Sequence, residues 1–101
     1  MAKRSVVVRN EKRKKIVDKH WKKRQELKVA AINPKLSLKK RQDAQRKLAE
    51  LPRDSNPIRL RNRCALTGRP RGVYKKFGIC RHMIRLLASR GQVPGLLMSS
   101  W

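Results

Sequence analysis

The sequence predicts a mainly α-helical protein with irregular extended segments and a thin core. The chain has 101 residues, with 29 Lys and Arg against 6 Asp and Glu, and a net charge of +23. Its first 51 residues hold one Pro and no Gly, whereas the rest holds the other Pro residues and all five Gly. Like charges repel on compaction, so a chain this short forms at most one thinly cored domain. We divide it into a basic helical N-terminal arm, residues 1–51, and a compact C-terminal module, residues 52–101.

The first helix of the arm is predicted from residue 3 to about 32. This stretch lacks Pro and Gly, is full of good helix formers and stops before Asn33-Pro34. Its sparse apolar stripe consists of Val17, Trp21, Leu27 or the Lys28 stem, and Ala31. A helix with so few apolar residues buries little of itself, so we expect it to lie against a phosphate backbone. A solvated basic helix that orders only on binding is compatible with this expectation.

A second helix is predicted from residue 38 to about 51. Ser37 is a suitable N-cap, and Pro52 stops the helix because proline lacks the amide donor that the helix requires. Ala44, Leu48 and Leu51 recur at i, i+4 and i+7, which is the pattern of an inward-facing stripe. Ordinary core packing accounts for these three residues.

The C-terminal module opens with turn-forming residues, followed by arginines at every second position. A period of two predicts an extended segment on which Arg59, Arg61 and Arg63 share one side. All of the positive charge from residue 52 to 72 comes from arginine, and this stretch contains no lysine. The planar fork of arginine chelates phosphate oxygens, which the point charge of lysine does not. Because Asp54 is the only acidic residue nearby, we interpret this run as an RNA contact in preference to a solvated face.

A third helix is predicted from about residue 79 to Gly91, which is a typical C-cap residue. Pro94-Gly95 then turns the chain into a short tail that ends in Trp101. The apolar stripe of this helix is predicted to consist of Ile79, Met83, Leu86 and Leu87.

Cys64 and Cys80 occupy two of the four positions of a zinc site with the spacing C-x2-C-x12-C-x2-C. The other two positions hold Thr67 and Met83. Structural zinc needs four Cys or His ligands, and His82 at i+2 from Cys80 on a helix would point away from it. We therefore expect no metal, no cofactor and free thiols, since no signal peptide indicates an oxidising compartment. The module is predicted to be zinc-ribbon-like but without the metal.

The sequence contains no combination of residues that would support catalysis. The 6 acidic residues are scattered beside lysines, and the 2 histidines have no apparent serine, cysteine or carboxylate partner. No segment approaches the ~20 apolar residues of a membrane span, so we expect no membrane partner. Because the residues for catalysis are missing, we also expect no small-molecule substrate. Residues 71–79 faintly resemble an aromatic ribonucleoprotein strand, although the rest of that fold is missing. Tyr74 and Phe77 are interpreted as small-core residues, one of which can stack on a base.

Five motifs carry a more specific resemblance to a known family. They are Arg61-Asn62-Arg63-Cys64, Thr67-Gly68-Arg69-Pro70, Lys76-Phe77-Gly78, Pro94-Gly95 and Ser100-Trp101. With these motifs, its length and its Met-Ala-Lys start, the chain resembles the fourteenth protein of the small ribosomal subunit, of bacterial type. The shorter form of that family carries four zinc-ligand cysteines, and this chain is similar to the longer, zinc-free form.

The resemblance implies a structural component of the small-subunit head that binds the 3′ major domain of the rRNA and supports head assembly and conformation in translation. Small-subunit proteins three, ten and nineteen are the implied neighbours, in a cytoplasmic bacterial-type ribosome or an organellar one. Family tails commonly carry lysines before the final Ser-Trp, whereas Leu97-Met98 here indicates an apolar contact with protein or an rRNA groove. The candidate rRNA contacts are Arg53, Arg59, Arg61, Arg63, Arg69, Arg71, Tyr74, Lys75, Lys76, Arg81 and Arg85.

Two other functions stay open on the sequence. A small zinc-ribbon-like regulator of DNA or RNA would be favoured by a stoichiometric metal. A membrane-active cationic peptide would need a broad apolar helix face, which the first helix lacks.

The free protein is expected to be largely unstructured at low salt, apart from fluctuating helix, because a net charge of +23 acts on a thin core. Differential scanning calorimetry of the isolated chain tests this expectation. A cooperative thermal transition with a large enthalpy would contradict it.

Overall fold

The computed structural model describes residues 1–99, and within them the protein is mainly helical with a small antiparallel sheet. This confirms the predicted class of helices joined by irregular segments. The final two residues of the predicted tail, Ser100 and Trp101, lie outside the described residues. In chain order the elements are α1 (Arg4–Ile32), α2 (Leu38–Glu50), the 3-10 helices Arg53–Ser55 and Pro57–Arg59, β1 (Val73–Tyr74), β2 (Ile79–Cys80) and α3 (Arg81–Ser89).

The chain forms two compact units. The helical unit is Asn10–Leu60, and the terminal unit combines Met1–Arg9 with the residues from Arg61 onward. This grouping differs from the division into residues 1–51 and 52–101. It assigns residues 52–60 to the helices and the first residues of the chain to the C-terminal segment. The separate roles of an arm and a module stay a prediction.

Local sequence signals determine the ends of α1 and α2. After α1, the Asn33 side chain accepts a hydrogen bond from Lys35 N at 3.0 Å and turns the chain. Ser37 then caps α2, where its hydroxyl accepts from Lys40 N at 3.4 Å. Leu51, which precedes a proline, is extended and ends the helix. The predicted bounds of both helices are confirmed to within a residue or two.

The buried face of α1 differs from the predicted apolar stripe. Its buried residues are Val17 and Arg24, which is 8% exposed, whereas Trp21 is 47% exposed. Arg24 Nη2 donates to Ser55 Oγ at 2.7 Å, and Ser55 in turn donates to the carbonyl of Pro52. The Arg24 guanidinium, with its hydrogen-bond partner, thus lies two helical turns from Val17. On this side of the helix the pattern predicted an apolar residue.

Residues 57–59 do not continue the extended segment predicted for the alternating arginines. Pro57 starts a 3-10 turn, and the Asn56 side chain caps it by accepting from Ile58 N at 3.2 Å. Asp54 Oδ1 accepts from Arg59 Nη1 at 2.8 Å and from Arg13 Nε at 3.2 Å. The alternation therefore does not include Arg59, because a capped turn and an ion pair hold it in the helical unit.

In the terminal unit, two short strands form a hairpin that leads directly into α3. Val73 pairs with Cys80 and Tyr74 with Ile79 in antiparallel register. The turn closes where Gly78 N donates to Tyr74 O at 2.8 Å, and Gly78 has φ +68°, a conformation that glycine adopts without strain. The predicted start of α3 near residue 79 is therefore wrong by two residues, because strand pairing takes Ile79 and Cys80.

The buried residue of α3 is Ile84, which the predicted stripe omitted. It follows Cys80 by four residues, so the buried side of the helix continues from the end of β2. Leu86, which the stripe included, is 39% exposed. The predicted turn at Pro94-Gly95 is observed after the helix.

The first residues of the chain pack against the turn formed by residues 64–68. Ala2 N donates to Thr67 O at 3.2 Å. Gly68 has φ +73°, and a Cβ built there would lie 3.0 Å from Val7 Cγ2 and 3.1 Å from the Cβ of Ala2. Glycine is thus needed at residue 68 both for its backbone conformation and for the close approach of the N-terminal segment.

Candidate nucleic-acid interface

The turn at residues 64–68 and the end of β2 bring the cysteines of the terminal unit together. Cys64 and Cys80 are both buried and both free. The turn closes where Gly68 N donates to Cys64 O at 2.8 Å. The Thr67 hydroxyl hydrogen-bonds to the Cys64 sulfur and lies 3.9 Å from Cys80 Sγ. One hydroxyl therefore contacts both thiols.

The surroundings of Cys64 stabilise its thiolate. Burial raises the pKa of the thiol, but hydrogen bonds from the Thr67 hydroxyl and from the backbone amides of Cys80, Thr67 and Leu66 outweigh burial and lower the pKa from 9.0 to about 6. The lowered pKa favours the thiolate form of Cys64 at neutral pH. Dipoles rather than a cation hold that charge.

The cysteine pair gathers too few ligands for structural zinc. Among residues 1–99, no group of three or more His, Cys, Asp and Glu side chains is placed to hold a metal ion. Thr67 and Met83 occupy the positions where two further thiolates would be needed, and neither is a usual zinc ligand.

Charge is distributed unequally between the two units. All 6 acidic residues lie in the helical unit, between Glu11 and Asp54. Residues 1–9 and 61–101 contain Lys and Arg but no Asp or Glu. The terminal unit therefore has no carboxylate side chain to neutralise it, and a polyanion releases condensed counterions when it supplies that neutralisation.

Three arginines of the predicted set support the loop at residues 61–71 through its own carbonyl groups. Because a backbone carbonyl carries no formal charge, these hydrogen bonds leave the positive charge of the arginines unneutralised. Arg63 and Arg69 are half-buried, whereas Arg61 is exposed. The hydrogen bonds run from Arg61 Nε to Pro70 O at 3.0 Å, from Arg63 Nη1 to Gly68 O at 3.0 Å and from Arg69 Nε to Arg71 O at 3.1 Å.

The remaining predicted residues are exposed. Arg53 and Arg59 belong to the helical unit. Lys76 Nζ lies 5.6 Å from the centroid of the Phe77 ring, and the Tyr74 and Phe77 rings meet edge to face with centroids 6.5 Å apart. Six cationic side chains of the predicted set make no hydrogen bond or ion pair with residues 1–99: Arg53, Arg71, Lys75, Lys76, Arg81 and Arg85.

A cleft of about 610 Å³ lies beside the hairpin in the terminal unit. It brings together three of the candidate rRNA contacts, Tyr74, Arg81 and Arg85, with residues that were not in that set. The additional lining comes from the hairpin turn, α3 and the segment that follows it: Phe77, His82, Ile84, Ala88, Leu96, Leu97, Met98 and Ser99.

The model of the family "Ribosomal protein S14p/S29e" matches residues 47–100. The chain belongs to this family. It is 57% identical to small ribosomal subunit protein uS14 of Wolbachia pipientis subsp. Culex pipiens (strain wPip), 52% identical to that of Chloroherpeton thalassium and 48% identical to that of Halorhodospira halophila. Each of these matches covers all of both chains. The family predicted from the motifs is confirmed.

Membership of this ribosomal-protein family confirms that the protein is not an enzyme. No helix in the described part of the chain has the length and apolar composition to cross a membrane.

Sequence reasoning missed two parts of the site. It interpreted Tyr74 and Phe77 as small-core residues, one of which can stack on a base, yet these rings are 51% and 41% exposed at the cleft. It also did not connect the tail with the hairpin, although the apolar run at residues 96–98 directly after a Pro-Gly turn in a strongly basic unit is a usable signal. The donors around Cys64 could not be predicted, because most of them are backbone amides.

Cys64 in the RNA-bound chain is expected to titrate near pH 6 rather than near its usual 9.0. Because the folded pKa is lower than the unfolded one, its contribution to stability is complete above pH 9.0, declines as the pH falls towards 6 and is absent below. The 13Cβ shift of Cys64 in a cysteine-labelled Cys80→Ser variant measures the midpoint, since the backbone donor at residue 80 is retained.

The control for this titration is Thr67→Val, which removes the hydroxyl donor and nearly preserves the side-chain volume. The midpoint should then rise by a measurable part of the difference between about 6 and 9.0. A midpoint near 9 in the parent, or one that Thr67→Val leaves in place, would contradict the assignment of the donors.

Proposed function

We propose that this protein is a structural constituent of the small ribosomal subunit that binds rRNA in the subunit head. The relatives' names support the small-subunit role, and the family resemblance implies the 3′ major domain and the neighbours three, ten and nineteen. The observation that carries the proposal is the terminal unit, which has no acidic side chain and presents Arg71, Lys75, Arg81 and Arg85 without protein partners among residues 1–99. These exposed cations are available to neutralise phosphates, which releases the counterions condensed on a nucleic acid.

In this proposal the loop arginines and the unpartnered cations have different roles. Arg61, Arg63 and Arg69 hold the loop at residues 61–71 in a fixed shape through its carbonyls. The cations without protein partners bind phosphate oxygens across that shape, while the basic α1 lies along a phosphate backbone. The work of the protein is to neutralise and position rRNA segments during head assembly, without chemistry of its own.

The terminal unit in this proposal is a zinc-ribbon-like module in which hydrogen bonds replace the metal. The arrangement of the cysteines supports it, since the Thr67 hydroxyl contacts both sulfurs and the Cys80 amide donates to Cys64. In a zinc site the cation would balance the thiolate charge. Here the hydroxyl and the amides stabilise the single thiolate.

The three relatives come from bacteria, and we place the protein in a cytoplasmic ribosome of bacterial type, with an organellar ribosome as the alternative. A sedimentation experiment tests the proposal directly. A tagged chain should travel with small subunits through a gradient at high salt. Recovery of the chain at the top of the gradient would overturn the proposal. Neither a nucleic-acid regulator nor a membrane-active peptide has a specific observation in its favour.

Arg71→Ala combined with Arg85→Ala should weaken binding to a transcript of the 3′ major domain. It should also reduce the slope of log K against log salt by roughly 0.7–0.9 for each phosphate that the variant no longer neutralises. Filter binding over a series of salt concentrations measures both quantities. A lower affinity with an unchanged slope would show that these side chains do not bind phosphates.

The comparison variant for that measurement carries Arg61→Ala and Arg63→Ala. Those side chains support the loop as well as carrying charge, so affinity should fall further for a similar change in slope. Equal losses of affinity in the two double variants would contradict the supporting role.

Thr67→Cys with Met83→Cys should create a stoichiometric zinc site. The variant supplies four thiolates at C-x2-C-x12-C-x2-C, and metal binding in small sites is coupled to folding by ~10 kcal/mol or more. Zinc should therefore order the terminal unit without RNA, which circular dichroism detects, while elemental analysis gives the stoichiometry.

Two results would refute the metal-free ribbon. One is a parent chain that already holds one zinc per molecule under the same conditions. The other is a four-cysteine variant that binds no zinc when fully reduced, because its two turns would then not face each other.

A further inference from the structure

The cleft in the terminal unit has an aromatic and apolar wall that the protein leaves uncovered among residues 1–99. Tyr74 is 51% exposed and Leu97 is 92% exposed. Tyr74 and Phe77 stand edge to face, so they offer two ring surfaces at nearly right angles, 82° apart. Apolar side chains gathered at one cleft of a small, highly charged protein make it a candidate binding surface.

The rim of the same cleft is cationic. Arg81 and Arg85 are four residues apart on α3 and therefore lie on one face of the helix, where both line the cleft. Neither has a hydrogen-bond or ion-pair partner for its side chain among residues 1–99. No Asp or Glu exists anywhere in the terminal unit to pair with them. The occupant should therefore combine a flat apolar group with neighbouring negative charge.

A nucleotide has this combination of properties. Its base supplies the flat apolar face, and the phosphates on either side of it suit two guanidiniums about one helical turn apart. The cleft volume of about 610 Å³ lies in the range of small-molecule sites and is sufficient for one nucleotide but not for a duplex. A base inside a duplex cannot offer its face, so the nucleotide must be unpaired.

We propose that this cleft takes one unpaired rRNA nucleotide, with its base against Tyr74 and Phe77 and its flanking phosphates on Arg81 and Arg85. The proposal rests on the proposed function, because it identifies the part of the rRNA that this surface recognises. The segment at residues 96–98 forms the opposite apolar wall. This gives Leu97 and Met98 the apolar rRNA contact that the tail predicts.

A helix of a neighbouring protein is the competing occupant of the cleft. An apolar helix would cover the aromatic wall, but it would leave Arg81 and Arg85 beside apolar surface without counter-charge, which is unfavourable for cations removed from water. The charge complementarity therefore favours RNA over protein.

The test uses the full chain and a single-stranded oligoadenylate that carries one 2-aminopurine, whose fluorescence falls when the base stacks. The parent should lower the fluorescence of the single strand and cause no further change for the same strand in a duplex with oligouridylate, where the base is already stacked. Phe77→Leu and Tyr74→Leu keep the apolar bulk and remove the rings. Each should reduce the quenching and weaken binding to the 3′ major domain transcript about 10- to 100-fold.

Leu66→Ala is the matched control, because this side chain is 53% exposed and does not line the cleft. It should leave quenching and affinity unchanged. The ring variants should also keep the parental salt slope, whereas Arg85→Ala should lower it, since a stacked base releases no counterion.

The outcomes separate this proposal from the proposed function. If Phe77→Leu and Tyr74→Leu bind the transcript as tightly as the parent, the nucleotide site is refuted and rRNA binding stands. If the parent itself fails to bind the transcript, the proposed function fails. If the ring variants bind RNA normally but lose a crosslink to a neighbouring protein in assembled small subunits, the cleft is a protein-docking surface and the nucleotide site is refuted.

Discussion

The shortage of negative charge is the constraint on which the rest of this structure depends. Six carboxylates face 29 cations, and all six lie in the helical unit. There Asp54 pairs with Arg13 and Arg59. In the terminal unit Arg61, Arg63 and Arg69 donate to backbone carbonyls instead. A carbonyl satisfies a hydrogen bond without cancelling a charge, so the terminal unit is held in shape while its positive potential remains available to an external anion.

Features determined by neighbouring residues were predictable from the sequence. Asn33-Pro34, the Ser37 cap and Pro52 define the two long helices, and the charge identifies a polyanion as the partner. Features that depend on distant residues were not predictable. Arg24 is buried because Ser55, 31 residues away in sequence, accepts its hydrogen bond. The pairing of β1 with β2 likewise overrides the helical pattern at Ile79.

The candidate site likewise has features that depend on the local sequence and features that depend on the fold. Composition was sufficient to predict that the arginine-rich loop contacts RNA, but it could not distinguish arginines that support the loop from cations that have no partner among residues 1–99. That distinction depends on where carbonyls such as Pro70 O lie in the fold. The cleft was missed because it joins a hairpin to a tail, and only the fold places Phe77 near Leu97.

The N-terminal segment belongs to a unit whose other residues begin at position 61. Ala2 and Val7 lie against Gly68, so these contacts cannot form until residue 68 has been synthesised. Closing so long a loop costs entropy, and the like charges within the loop oppose closure further. The terminal unit therefore cannot form in the order of synthesis. A bulky side chain at residue 2 would disturb the distant turn at residues 64–68, next to the buried Cys64.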